Sequence, residues 1–165
     1  MYISVNELDT FSFHDAELEE IIFENKDMIW LMYAVNAETK NSQNNFPEDM
    51  CMEKATFIFE NIELKKIKFS GYKKYCSGIL TETVEPKEAD KSEYQDILNR
   101  TVSEGTAYIM KLDSLSKDAG QYTACFDIEG GAGDFYFTFS FTKAIAKWEK
   151  YCGRAWYVQM KHSEN

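Results

Sequence analysis

The sequence predicts a mainly β fold of the α+β class, either a curved antiparallel sheet or a two-sheet β-sandwich, with one or two helices. Aromatic residues make up 15% of the chain, and aromatic side chains favour strands. Apolar segments follow one another with short turn-forming breaks between them, which is typical of antiparallel pairing. One capped helical segment is too little for the alternating strands and helices of a parallel sheet.

The first predicted unit is a β-hairpin within residues 16–37. Leu18–Phe23 and Met28–Val35 are apolar, and the polar residues Asn25–Asp27 between them favour a turn. The polar stretch that follows, which includes Thr39–Cys51, is predicted to be a long loop. We expect it to be mobile rather than functional, because it carries no catalytic pair.

Two more strands and a helix are predicted in the middle of the chain. Ala55–Phe59 and Ile62–Phe69 read as strands, and a parity break within the second predicts a β-bulge. Tyr72–Tyr75 is basic and expected to be exposed, and Gly78–Val84 favours a further strand. Helical spacing over residues 92–105 predicts a helix, with Ser92-Glu93-Tyr94-Gln95 as its capping box.

The last third of the chain is predicted to return to strands, at 106–112, 122–128 and 135–142, with 144–148 either a strand or the start of a short helix. In Phe135-Tyr136-Phe137-Thr138-Phe139-Ser140-Phe141 the phenylalanines recur at every second position. This period places all of them on one face of a strand, which predicts a sheet buried on that side. No linker or repeat divides the chain, so residues 1–165 are predicted to form a single domain.

Charge and cysteine content limit the function classes. The formal net charge is −10 at pH 7, which disfavours nucleic acid and anionic membranes and suits a basic protein partner. We find no long apolar run and no signal-peptide pattern at the N-terminus, so we expect a cytoplasmic protein. The four cysteines are widely and irregularly spaced, and we therefore expect free thiols with no metal and no cofactor.

Phe13-His14-Asp15 is the first candidate site. Histidine serves as a general base or metal ligand, and aspartate can orient it, which makes His14 and Asp15 weak catalytic candidates. Neighbouring residues of an extended segment point in opposite directions, so the pair converges only at a turn. A structural role is therefore favoured here. A cysteine–histidine pair stays open, since such partners need be close only in space.

The second candidate is the segment from Asp127 to Asp134. Asp127, Glu129 and Asp134 surround the turn Gly130–Gly133. Carboxylates that face one another across a hairpin can hold a divalent cation or act as an acid/base pair. Ordinary turn chemistry explains the same residues, and this reading is favoured.

The C-terminal segment is dense in aromatic residues. Aromatic and arginine side chains are frequent at protein interfaces, so we predict that this segment binds a ligand or partner. The predicted residues are Trp148, Tyr151, Arg154, Trp156 and Tyr157. The alternative is that Trp148 and Trp156 close the end of the sheet.

Phe13-His14-Asp15-Ala16 near the start and Ala155-Trp156-Tyr157 near the end together resemble uncharacterised small bacterial β-rich proteins. Some of those proteins are labelled as related to bacteriocin biosynthesis or immunity. The resemblance covers only the two ends of the chain and carries over no catalytic residue. It implies a bacterial, non-secreted and non-catalytic protein.

Together these observations favour a non-catalytic protein-binding module, of the immunity or inhibitor type, for a basic partner. The alternative is a small-molecule-binding or hydrolytic domain whose pocket lies near His14 and the Asp127–Asp134 hairpin. A third hypothesis is a subunit that forms a homo-oligomer through an exposed sheet face. No catalytic set is coherent enough in the sequence to assign a reaction.

Overall fold

The computed structural model describes residues 1–163, with side chains as far as Met160. In this range the chain forms two helices, α1 (Tyr94–Ser103) and α2 (Trp156–Ser163), and sixteen strands. The strands are β1 (Tyr2–Val5), β2 (Phe11–Ser12), β3 (Ala16–Glu24), β4 (Asp27–Tyr33), β5 (Asn36–Ala37), β6 (Met50–Met52), β7 (Lys54–Glu60), β8 (Glu63–Phe69), β9 (Tyr72–Cys76), β10 (Ile79–Val84), β11 (Lys87–Glu88), β12 (Ala107–Asp118), β13 (Gln121–Gly130), β14 (Gly133–Phe141), β15 (Lys143–Trp148) and β16 (Tyr151–Arg154).

Ten strands form one antiparallel sheet, in the order β1-β15-β7-β4-β3-β12-β13-β14-β8-β11. One half of this sheet consists of β1, β15, β7, β4 and β3, and the other half consists of β12, β13, β14, β8 and β11. The two halves are joined by a short pairing between Ala16–Leu18 of β3 and Ala107–Ile109 of β12. The sheet bends there until its halves face each other. Phe59 of β7 then lies 5.0 Å from Phe139 of β14, measured between ring centroids. The mainly β, antiparallel fold that the sequence predicts is confirmed.

The alternating phenylalanines of β14 lie in the core as predicted. Phe135, Phe137, Phe139 and Phe141 are all buried. Because β14 pairs with both β13 and β8, its inner face is the centre of one half of the sheet. The predicted bulge is also present, since the register between β14 and β8 shifts beside Leu64.

Helix α1 covers one open end of the sheet, and its cap differs from the predicted one. The capping box is formed by Asp90 and Glu93, and a 3-10 turn at Lys91–Glu93 precedes the helix. The backbone amide of Ala89 donates to the carbonyl of Ile67 at 2.9 Å. This bond holds the chain to β8 just before Asp90, so the first free amides meet Asp90 rather than Ser92.

A second sheet of four strands, in the order β16-β6-β5-β2, lies beside the larger one. The sequence predicts a mobile loop between β5 and β6, but two buried asparagines anchor this loop to the rest of the protein. The Asn41 amide donates to the hydroxyl of Thr10 at 2.7 Å, and the Asn44 amide donates to the carbonyl of Ala37 at 2.9 Å. The loop therefore joins the N-terminal segment to the small sheet.

Strands β9 and β10 form a separate two-stranded sheet that projects from the domain. Every residue of both strands is exposed, as expected for Tyr72–Tyr75. Five large apolar side chains of this hairpin are between 38% and 70% exposed.

Among the described residues, no helix is long and apolar enough to cross a membrane.

Candidate binding cleft beside His14

The dipeptide His14-Asp15 forms the tight turn that leads into β3. Asp15 has a positive φ of 60°, a conformation that aspartate tolerates better than most residues. This turn brings the Asp15 carboxylate to 3.5 Å from Nε2 of His14. The other ring nitrogen, Nδ1, lies 3.2 Å from the carbonyl oxygen of Met110 on β12. Both nitrogens therefore already face oxygen atoms of the chain.

The Met110 carbonyl is available to His14 because β12 is irregular at this point. The pairing of β12 with β13 shifts between Ile109 and Lys111, and again between Leu112 and Ser114. Met110 and Asp113 are therefore the extra residues of two β-bulges. A bulge leaves a residue outside the regular ladder and changes the direction of its side chain, and bulges are frequent beside functional sites.

A cleft of about 440 Å³ lies between this bulged strand and the N-terminal segment. Buried Phe11 and Phe13 belong to its lining. The other lining residues are Asp9, Ser12, His14, Glu38, Met110, Lys111, Leu112, Asp113, Ser114 and Leu115. Its volume is in the range of small-ligand and side-chain pockets.

Carboxylates dominate the charged groups of the cleft. Asp9, Glu38 and Asp113 come from three separate parts of the chain, and Lys111 is the lysine among the lining residues. The Lys111 ammonium lies 2.8 Å from the Asp113 carboxylate. The hydrogen bond and charge of Asp113 raise the pKa of Lys111 above its ordinary value. A second lysine, Lys40, lies outside the lining and pairs with the Glu38 carboxylate at 3.0 Å. Three carboxylates against these two lysines leave the cleft with an excess of one negative charge.

Trp156 and Tyr157, at the start of α2, lie next to this region. The Trp156 ring is 5.7 Å from the His14 ring and remains 43% exposed. The Tyr157 hydroxyl donates to the Asp49 carboxylate at 2.9 Å. Burial, together with the neighbouring Asp49, raises the pKa of Tyr157. Tyr157 therefore fixes α2 in place, while Trp156 presents an aromatic face beside His14.

The other predicted C-terminal residues contact neighbouring parts of the chain. Trp148 is only 2% exposed and stacks on Tyr2, so its ring closes the sheet instead of facing a partner. The Tyr151 hydroxyl donates to the carbonyl of Gln43 at 3.2 Å, and burial raises its pKa to about 12. Arg154 is exposed and pairs with Glu48 at 2.6 Å.

The structure does not bring the Asp127–Asp134 hairpin into this cleft. Of the described residues that line the cleft, none lies between 127 and 134. Asp127 lies in register with Lys111 of β12 and Tyr136 of β14, and burial raises its pKa against the opposing charge of Lys111. Asp127 therefore borders the cleft through Lys111 and Asp113 without lining it. Glu129 and Asp134 are directly opposite each other in the hairpin.

No group of three or more His, Cys, Asp or Glu side chains within the described range is arranged to hold a metal ion. The cysteines do not lie among the residues of the cleft, as far as side chains are described. His162 lies outside the described side chains, so a pair formed by it stays a prediction.

The three carboxylates of the cleft are not predicted from the sequence. Asp9, Glu38 and Asp113 are 104 positions apart at the extremes and share no local motif. The sequence does contain one signal. The apolar residues Ile109, Leu112 and Leu115 of β12 alternate between odd and even positions, so a regular strand could not place all three on one face. Two parity changes within one strand predict two bulges, and the bulges mark the wall of the cleft.

Comparison of this chain with protein-family models, with curated proteins and with solved structures finds no match.

Proposed function

We propose that this protein is a non-catalytic protein-binding module that holds a basic segment of its partner in the cleft beside His14. The observation that carries the proposal is the convergence of Asp9, Glu38 and Asp113 on one concave surface. Bulged β12 supplies one wall, the N-terminal segment supplies another, and Glu38 follows β5. Carboxylates that converge from separate elements favour a cationic group of a partner.

Trp156 adds an aromatic surface beside the acidic cleft. Its ring is exposed and lies against His14. A lysine or arginine side chain attracts carboxylates and also packs on the face of an indole ring. Tryptophan is among the residues most enriched at the energetic centres of protein interfaces. The cleft and Trp156 together therefore suit a segment that presents arginine or lysine.

The position of His14 favours a binding role over catalysis. A general base needs a ring nitrogen directed at the proton of a substrate, whereas Nδ1 of His14 faces the Met110 carbonyl and Nε2 faces Asp15. These contacts hold the turn before β3. The alternative, a hydrolytic or small-molecule-binding domain, requires that a ring nitrogen of His14 turn away from Met110 or from Asp15.

Fluorescence anisotropy with a labelled hexa-arginine peptide tests the proposal, and a labelled hexaglutamate peptide is the probe control. We expect the arginine peptide to bind and the glutamate peptide not to bind. The triple variant D9N/E38Q/D113N should bind the arginine peptide at least about tenfold more weakly, since each lost charge pair removes a sizeable part of the interaction.

The matched control is E24Q/E82Q/E129Q, which neutralises three exposed carboxylates outside the cleft and changes the net charge equally. We expect this variant to bind like the wild type. Equal weakening by both triple variants would show that only total charge matters and would contradict the proposal. Hydrolysis of a p-nitrophenyl ester that disappears in His14→Ala would favour the hydrolytic alternative.

A further inference from the structure

An unbroken row of aliphatic side chains crosses the outer face of one half of the large sheet. Strand pairing places each member directly beside the next, on five neighbouring strands. We call these residues the aliphatic row: Val5, Ile145, Ile58, Ile29 and Ile22. The opposite, inner side of the same strands carries the core residues Trp30, Phe57 and Phe59.

The aliphatic row is accessible at the surface. Val5 is 43% exposed and the other four members are partly exposed. Ile3 lies next to Val5 on the same side of β1, at 45% exposure. A surface depression of about 420 Å³ beside the row is lined by Ile58, Thr56 and Lys147, among others. Solvated sheet faces usually alternate with polar residues, and a contiguous apolar strip marks an interaction surface.

Charges flank the aliphatic row in an asymmetric way. On β15 the neighbours along the strand are Lys143 and Lys147. At the other end of the row, Asp27 of β4 and Glu20 and Glu24 of β3 occupy the flanking positions. One end of the face is therefore positive and the other end negative. Two copies of such a face repel each other when like ends meet, and they attract each other when the positive end of one copy meets the negative end of the other.

We infer that this face binds the same face of a second copy of the chain, about a two-fold axis that runs along β7 between the copies. An interface of this kind needs a surface that is complementary to itself. The axis places Ile58 opposite Ile58 of the second copy and Ile145 opposite its Ile29. Each aliphatic row thus covers the other over all five strands.

The same axis pairs opposite charges at one border of the strip. Lys147 and Glu20 lie in one row across the sheet, through Thr56 and Leu31, and rotation about β7 brings Lys147 of one copy close to Glu20 of the other. At the other border, Lys143 already pairs with Glu60 of its own chain at 3.3 Å, and the axis sets this Glu60 opposite Glu60 of the second copy. The border of Lys147 and Glu20 therefore carries the complementarity that fixes orientation.

The size of the face fits a dimer of moderate strength. Five strands spaced by about 4.8 Å, with about seven residues each at about 3.3 Å, give a face of roughly 24 by 23 Å. Covering it in both copies buries about 1,100 Å², near the lower limit for specific interfaces. We therefore expect a reversible dimer whose population depends on concentration. The aliphatic row and the cleft beside His14 share no residue, so this inference stands apart from the proposed function.

Sedimentation velocity over a protein concentration range of about 1 µM to about 1 mM tests the inference, since a dimer of this size should dissociate within it. We expect the wild type to shift from monomer to dimer. Ile58→Lys, at the axis, should raise the dissociation constant at least about tenfold, because two like charges would then meet. Thr123→Lys is the matched control, a partly exposed outward position on the other half of the sheet, and should dimerise normally.

Charge reversal supplies a second arm that does not touch the aliphatic residues. Lys147→Glu and Glu20→Lys should each weaken the dimer, and the double variant K147E/E20K should restore it. Thermal melts by circular dichroism verify that each variant is folded. A wild type that stays monomeric throughout overturns the inference. So does a dimer that Ile58→Lys leaves intact, or one that the double variant does not restore.

Discussion

Trp30 of β4 packs edge-on against Phe126 of β13, with ring centroids 4.9 Å apart and ring planes at 66°. These strands are separated in the sheet by β3 and β12, so the contact crosses the core and is not a contact between neighbours. Trp30 also lies 5.7 Å from Phe139 of β14. A single indole ring therefore joins the two halves of the bent sheet.

Replacement of Trp30 by alanine should destabilise the protein by about 3–5 kcal/mol, because it leaves a large cavity between the two halves. Trp30→Phe should cost much less. The indole Nε1 is buried without a hydrogen-bond partner among the described residues, so phenylalanine keeps most of the packing and removes an unsatisfied group. Urea unfolding followed by circular dichroism measures both variants.

Trp156→Ala is the matched control for this prediction. Trp156 is 43% exposed, so its removal leaves no enclosed cavity and should cost clearly less stability than Trp30→Ala. If Trp30→Ala proved as mild as Trp156→Ala, the two halves of the sheet would not be held together by this contact.

Much of the strand pattern was predictable from local sequence, whereas the bend of the sheet was not. The period-two pattern of Phe135–Phe141 gives its buried face directly, since alternation is a property of a single strand. By contrast, the pairing of Ala16–Leu18 with Ala107–Ile109 joins segments about ninety residues apart. That pairing depends on the shapes of both halves, and it cannot be predicted from the periodicity of either segment alone.

The candidate site shows the same division. His14 and Asp15 were identified because they are adjacent, and the turn that joins them is a local property of Asp15. The carboxylates Asp9 and Glu38 line one cleft with Asp113, because bulged β12 forms one wall of that cleft and the N-terminal segment forms another. Trp148 illustrates the reverse case. Tryptophan is a residue type that is frequent at protein interfaces, yet the pairing of β15 with β1 and β7 buries Trp148.

Replacement of Asn41 by alanine should lower the free energy of unfolding by about 1–3 kcal/mol, because it leaves buried polar groups without hydrogen-bond partners. The Asn41 amide donates to the hydroxyls of Thr10 and Ser4, at 2.7 Å and 3.3 Å. Asn41→Ala removes both bonds and frees the loop between β5 and β6. We expect a lower urea midpoint and faster amide exchange in this loop.

Asn45→Ala is the control for the loop, because Asn45 is exposed in the same segment. It should leave the urea midpoint unchanged. Equal effects of the two alanine variants would mean that loop composition matters and that the buried bonds of Asn41 do not.

Gly131 should not tolerate a side chain, because α1 ends directly above the turn between β13 and β14. A Cβ at this position would lie 2.7 Å from the carbonyl carbon of Glu104 and 2.8 Å from the carbonyl oxygen of Arg100. Gly131→Ala must push the end of the helix outward, and we expect a loss of about 1–3 kcal/mol. Gly153→Ala is the control, since no described atom lies within 4 Å of the added Cβ. A smaller loss for Gly131→Ala than for Gly153→Ala would contradict this account of the helix end.

The four thiols should react with iodoacetamide in an order set by burial. Cys76 and Cys152 are exposed, and Cys51 and Cys125 are partly buried. Burial, reinforced by the neighbouring Cys152, raises the pKa of the Cys51 thiol to about 12, and burial also raises the pKa of Cys125. A raised pKa lowers the thiolate fraction, which for Cys51 falls to about one in ten thousand at pH 8.

Peptide mass spectrometry after timed alkylation at pH 8 should therefore find Cys76 and Cys152 modified well before Cys51 and Cys125. Because only the thiolate reacts, the rate at Cys51 should rise about tenfold with each pH unit up to its pKa. In concentrated urea all four cysteines lose their protection, and their rates should converge. Rapid alkylation of Cys51 in the folded protein at pH 8 would instead mean that β6 and β16 separate readily, since Cys152 donates to the Cys51 carbonyl at 3.4 Å across this strand pair.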